Sequence, residues 1–348
     1  MRKPVLTILL LAQSYLFASA QSPTEGITYF LPKTALRFAF LIEKTTFTPG
    51  EYARYSERYI KTKVNSNPTT RYRIVDTQLS TYAVPDSAKQ FTAIVDKKHS
   101  IVSISRDQNG VITAVNAKPI ATEQPVAFVP SRPINPIDPS KYMTAEMLAA
   151  GSSAKTAELI AQEIYDIRDS KNQLSRGEAE FMPKDGEQLK IMLANLDLQE
   201  KALLQFFQGH TTTDTAEYVV TFVPSHETDQ ELLFRFSQHL GIVDKDDLGG
   251  APYYISIQDE KAIPTVDTTD PNGKKGKDDV GINVNLPGRI KITLSKEEQP
   301  LKTFETYAAQ FGRIENISGN LFGKKFTTHI ILDPVTGNVE TLRTDPLE

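Results

Sequence analysis

The sequence predicts an α+β protein with two β-rich antiparallel domains and a central antiparallel helical hairpin packed on the C-terminal sheet. Three observations carry the prediction. Apolar residues recur at helical spacing through two consecutive segments between Ser153 and Gly209. Strand-like runs bounded by turn residues fill the chain on both sides of them. A proline-dense stretch from Pro119 to Pro139 separates the first strands from the helices. The expected division is a signal peptide over 1–20, an N-terminal β-rich domain over 21–118, a linker over 119–140, and the helical hairpin with a C-terminal β-rich domain over 141–348.

Arg2 and Lys3 precede an apolar run from Val5 to Phe17, and Ala18-Ser19-Ala20 is a small-x-small cleavage signal. Cleavage after Ala20 would start the chain at Gln21 and place it in the periplasm or on the cell surface. The apolar run is too short for a stable membrane span, and no transmembrane span is expected in the mature chain. There is no cysteine, hence no disulfide and no lipoprotein attachment residue.

Two runs, Ile27 to Leu31 and Thr34 to Glu43, read as strands. Pro49-Gly50 opens a short helical pattern from Glu51 to Ile60, in which Tyr52, Tyr55 and Tyr59 share a face. Such a stripe is more often a wall packed on a sheet, hydroxyls at the rim, than a stacking surface for sugars or bases. Arg71 to Val84 and Phe91 to Val95 are the next strands. His99 to Asp107 and Val111 to Ala117 flank Asp107-Gln108-Asn109-Gly110, a hairpin signal in which Asn-Gly favours positive φ at both central positions. The prolines at 119, 125, 130, 133, 136 and 139 cannot donate to a β-ladder and call for an extended connection wrapping a surface.

Thr144 caps a short helix to Ala150. The first long helix spans Ser153 to Arg176, with the stripe Ala157, Ile160, Ala161, Ile164, Ile167 and Leu174. Ser152 or Ser153 is its N-cap and Gly177 its C′ residue. The second follows Pro183, capped by Asp185 with Gln188 reaching back, and Gly209 ends it. Its stripe is Leu189, Met192, Leu193, Leu196, Leu203 and Phe207. Glu200 interrupts that stripe. It is either a partly buried carboxylate of raised pKa, hence a candidate general acid, or, the reading we favour, a helix-edge side chain that reaches solvent or pairs with a base on the covering sheet.

Further strands are expected at Glu217 to Val223, Glu231 to Phe236, Tyr253 to Ile257 and Arg289 to Leu294, while Phe304 to Phe311 fits strand and helix equally. Asp259 to Val280 has the composition of a mobile loop. Phe326 to Leu332 and Asn338 to Leu342 form a last hairpin around Asp333-Pro334-Val335-Thr336-Gly337, built like the first.

Chemistry-bearing motifs are missing from the sequence. The histidines at 99, 210, 226, 239 and 329 are not at metal-ligand spacing, and there is no Gly-x-Ser-x-Gly elbow, Walker A loop or dinucleotide-binding glycine motif. Asp244-Lys245-Asp246-Asp247-Leu248-Gly249 falls short of a calcium loop and reads as a solvated turn. No catalytic, metal or cofactor-binding residue is nominated, and no cofactor is implied. A formal charge of −4 without a large basic block argues against a nucleic-acid partner. A glycan or another envelope protein fits better, although sugar platforms here would have to be Tyr or Phe because Trp is absent.

The helix Ala157 to Arg168, Gly177-Glu178, Pro183 to Lys190, Gln205 to Gly209, Phe222-Val223-Pro224, Leu233 to Ser237, Gln310-Phe311-Gly312 and the Thr336-Gly337 turn resemble a family of exported Bacteroidetes proteins of about this length, a domain of unknown function. The resemblance implies export and a single co-folding unit, with no activity or site residues to transfer. The expected function is that of an exported cell-envelope protein, a non-catalytic binding or structural module. The alternative is a carbohydrate-active hydrolase using paired carboxylates.

Overall fold

The computed structural model describes residues 26–94, 100–264, 281–323 and 326–346. The expected signal peptide, His99 and most of the Asp259 to Val280 loop lie outside them. In the first half the chain forms β1 (Gly26–Thr48), α1 (Ser56–Tyr59), β2 (Thr69–Ile94), β3 (Ile104–Arg106) and β4 (Ile112–Val115). The helical segment holds α2 (Ala145–Ala149), α3 (Ser153–Arg176) and α4 (Gly186–Gln208). The remainder is β5 (His210–Phe222), β6 (Thr228–Ser237), β7 (Gly241–Val243), β8 (Ala251–Asp259), β9 (Ile282–Lys296), β10 (Gln299–Ile317), β11 (Phe326–Leu332) and β12 (Val339–Pro346).

The α+β class holds. The named strands form three antiparallel sheets, ordered β2-β1-β5, β10-β9-β8-β6-β7 and β12-β11-β4-β3. The first and third each combine strands from before and after the helices. β1 is a single strand where two runs are expected, and β2 likewise. The chain bends at Pro32 without ending the ladder, because β2 carries the irregularity: register jumps between Phe30↔Gln90 and Pro32↔Pro85. Phe30 N–H turns instead to the Gly110 carbonyl, at 3.0 Å. Phe304 to Phe311 resolves as strand within β10, whose own irregularity falls between Ala308 and Arg313.

Side chains of β1 enter two cores. Leu36, Phe38, Phe40 and Ile42, at strand period, meet Leu233, Phe234, Ile255, Ile292 and their neighbours between the first two sheets. Tyr29 and Leu31 join Ile112, Val115, Ile282, Phe322 and Ile330 in a second core under the third sheet. β9 is shared in the same way, Ile282 and Val284 in one core and Ile290 to Leu294 in the other.

The two Asp-to-Gly hairpins lie side by side, β4 pairing with β11 through Val115↔Ile330. Their turns differ from expectation in one respect. In the first, Gly110 takes positive φ, at 81°, while Asn109 does not. The Asp107 carboxylate accepts the Asn109 and Val111 N–H groups at 2.8 Å, which closes a five-residue loop without a primed turn.

The long helices occupy their expected spans. Ser152 Oγ accepts the Lys155 N–H, Gly177 takes the left-handed conformation at φ 74°, and Asp185 Oδ1 accepts the Gln188 N–H at 2.8 Å. What covers the helices differs from the expected sheet. The buried stripes of α3 and α4 close against Tyr52, Ile60 and Met147, with Tyr55, Tyr59 and Tyr142 at the margin, and no residue of a sheet strand belongs to that cluster. The tyrosine stripe is therefore a packed wall, on helices rather than a sheet. The stripe of α4 is also only half realised: Leu203 and Phe207 are buried, whereas Met192 is exposed and Leu189, Leu193 and Leu196 are half-buried. Those N-terminal turns of α4 project beyond the segments that cover the C-terminal ones.

The proline-rich connection is extended and lies along the outer edge of β5. Thr215 donates its N–H to the Ser131 carbonyl at 3.2 Å, Ser131 N–H meets Thr215 Oγ1 at 2.7 Å, and Phe128 N–H meets Glu217 Oε2 at 2.7 Å. An otherwise open strand edge is thus capped by a segment poor in donors.

Candidate functional site

Glu200 does not carry the raised pKa that a general acid would need. Arg168 Nε lies 2.6 Å and Lys171 Nζ 2.8 Å from its carboxylate oxygens, both bases coming from α3. Partial burial pushes its pKa up, but the Lys171 and Arg168 hydrogen bonds outweigh this and hold it below the ordinary glutamate value. A lowered folded pKa means that this stabilisation is fully present above the ordinary value and is lost as pH falls through the folded one. Glu200→Gln should therefore cost about 1 kcal/mol near neutrality, and the difference from the parent should vanish in strong acid. Urea melts at a series of pH values read this directly; a difference constant with pH would mean the pair contributes nothing.

Among the described residues the histidines form no metal-holding group. His210 opens β5, His226 Nδ1 pairs with Ser225 Oγ at 2.7 Å, and His329 lies between the Asn116 carbonyl and Asp345. Asp247 folds its own turn, accepting the Gly249 N–H at 2.8 Å. Among the described residues no group of three or more His, Asp or Glu side chains is placed to hold a metal.

A run of concavities lies elsewhere, between β2 and β10. Each is an edge strand, one of the first sheet and one of the second. The gap between them holds cavities of about 250, 400 and 540 Å³ in succession from Val75 and Leu301 to Thr81 and Tyr307. Lys302 bridges the narrow end: its Nζ lies 3.1 Å from Asp76 Oδ1 and also donates to the Thr77 carbonyl. The Thr77 N–H and then Lys302 hold Asp76 below the ordinary aspartate range.

The wide end is closed by the β11–β12 turn. Thr81, Thr306 and Tyr307 form one wall, Leu286 and Pro287 the floor, and Asp333, Thr336, Asn338 and Glu340 the far rim. Its shape is held by backbone contacts. A Cβ on Gly312 would sit 1.8 Å from the Leu286 carbonyl oxygen, so β9 and β10 approach here as only glycine allows. Thr34 of β1 anchors the irregular stretch of β10: its Oγ1 accepts the Ala309 N–H, and its backbone exchanges bonds of 2.9 Å with the Gln310 amide. Buried Asn285 donates through Nδ2 to the Pro32 and Thr336 carbonyls, fixing the turn against β1.

The carboxylates on this rim differ in freedom. Asp333 Oδ1 accepts from the Val335 N–H, the Thr336 N–H and the Thr336 hydroxyl, which ties that oxygen to the turn. Glu340 enters no ion pair or hydrogen bond among the described residues. Tyr307 is 54% exposed, its ring presented to solvent. The wall thus offers an aromatic face, two threonine hydroxyls, an amide and one free carboxylate on a rigid frame. Sequence reasoning nominated none of these residues. Tyr307 lay in the one segment whose period was ambiguous, and Thr81 of β2 is far in the chain from the β9–β10 and β11–β12 residues that it meets here.

A family model described as a domain of unknown function (DUF4831) matches residues 25–340. No curated protein and no solved structure matches the chain.

Proposed function

From a chain that belongs to the DUF4831 family, we propose a non-catalytic binding module of the bacterial cell envelope that takes a glycan in the wide end of the β2–β10 groove. The observation that carries this reading is the pairing of a half-exposed Tyr307 ring with hydroxyl, amide and carboxylate groups around a 540 Å³ cavity. Sugars present apolar C–H faces to aromatic rings and hydroxyls to polar rims, and a preformed wall keeps the ordering cost of binding low. The small-residue signal ending at Ala20 supports export to the periplasm or cell surface.

Hydrolysis would need two working carboxyl groups across the cavity. Glu340 shares the rim with a second carboxyl group, Asp333, whose Oδ1 three donors of its own turn hold as part of the frame. Calorimetry of the chain from Gln21 onward against a panel of envelope and host oligosaccharides tests the reading. A hit is expected whose affinity falls about tenfold or more in Tyr307→Ala, with the melting temperature unchanged because the ring is not core. A hit that releases shortened product would overturn the non-catalytic reading, and a panel without hits would overturn the glycan.

A further inference from the structure

We infer that the chain self-associates through the outer face of α4, two copies packing antiparallel about a two-fold axis near Ala194. This is independent of the groove. α4 carries a second apolar stripe, Ile191, Ala194, Leu198 and Ala202, at the i, i+3, i+7, i+11 spacing of one face and roughly opposite the stripe that meets α3. The stripe changes character along its length. Ala202 is fully buried against the body, whereas Leu198 is 41% and Ile191 60% exposed. A helix apolar on both sides is normally covered on both sides, and among the described residues nothing covers this end. With Phe181 and Met182 just before the helix also exposed, the apolar area is on the order of a few hundred Å², the size at which surface patches are commonly functional.

The charge order selects the occupant. Along one flank of the stripe run Glu187, Lys190, Asp197 and Lys201. Read backwards, the order of signs is inverted, so an antiparallel copy sets unlike charges opposite each other: Glu187 against Lys201 of the second copy, and Lys190 against Asp197. In antiparallel helix pairs the same flank faces its counterpart, which is the condition this pattern meets. The same register places Ile191 opposite Leu198 and brings the small side chain of Ala194 to the axis. Asp197 already meets Lys171 within its own chain, so the Glu187–Lys201 pair, which makes no ion pair among the described residues, carries the selectivity.

The natural absence of cysteine gives a clean test. In sedimentation velocity at up to about 100 μM, a range suited to an interface of modest size, the chain from Gln21 onward should form dimers. Ile191→Asp with Leu198→Asp should leave it monomeric with an unchanged melting temperature. Ala194→Cys should give a disulfide-linked dimer on mild oxidation, whereas Asn172→Cys, on the exposed face of α3, should not. Glu187→Lys should weaken association about tenfold, and adding Lys201→Glu should restore it. A parent that stays monomeric at these concentrations, or a dimer indifferent to the α4 substitutions, overturns the inference.

Discussion

Replacing Gly209 by alanine is expected to destabilise the protein by about 3 to 5 kcal/mol, the largest effect of any single-methyl addition we foresee. Gly209 takes φ 73° and ψ −164°, a region closed to residues with a side chain. The added Cβ would also stand 2.1 Å from the Thr48 carbonyl oxygen and 2.9 Å from the Gly50 nitrogen. Neither neighbour is free to yield. Thr48 ends β1, and the same turn donates the Tyr52 N–H to the Phe206 carbonyl at 2.7 Å, capping α4 from outside. The variant must therefore separate the end of β1 from the end of α4. Urea unfolding would register the loss as a lowered midpoint; a change within 0.5 kcal/mol, the range of ordinary surface substitutions, would mean that this approach of backbone to backbone is not as tight as described.

Phe207→Ala should cost about 3 to 5 kcal/mol and Leu193→Ala only about 1, although the two share one apolar stripe. Phe207 is fully buried among Tyr52, Leu203 and the α3 stripe. Leu193 is half-buried near the projecting end, where a cavity opens towards water and leaves little void. The same denaturation measurement on both variants distinguishes a gradient along α4 from a uniform core; equal losses would place the projecting turns inside a buried layer.

Local signals are what the sequence displays openly. The caps at Ser152 and Asp185, the left-handed Gly177 and the helical stripes place α3 and α4 without tertiary information, because each depends on residues within a turn or two. Glu200 was legible as an anomaly, but its partners were not, since Arg168 and Lys171 become neighbours only once the helices fold back. β1 and β2 each looked like two strands because Pro32 and the residues around Pro85 mimic termini. Only the accommodation of a bend by the opposite strand shows them to be continuous. The groove was invisible for a related reason. Thr81, Leu286, Tyr307 and Glu340 carry no shared spacing, and their proximity arises from which strands lie at sheet edges, a property of topology.

The two cores that β1 enters have a consequence for how the chain becomes native. Its partners include β5 and, across the cores, β9 and β11, which are synthesised long after it. Loop closure over such separations slows folding, and until the far end of the chain arrives β1 has only its β2 pairing, with the side chains of both cores uncovered. The β1–β2 ribbon can therefore form early, while both cores close only when β9 and β11 reach it.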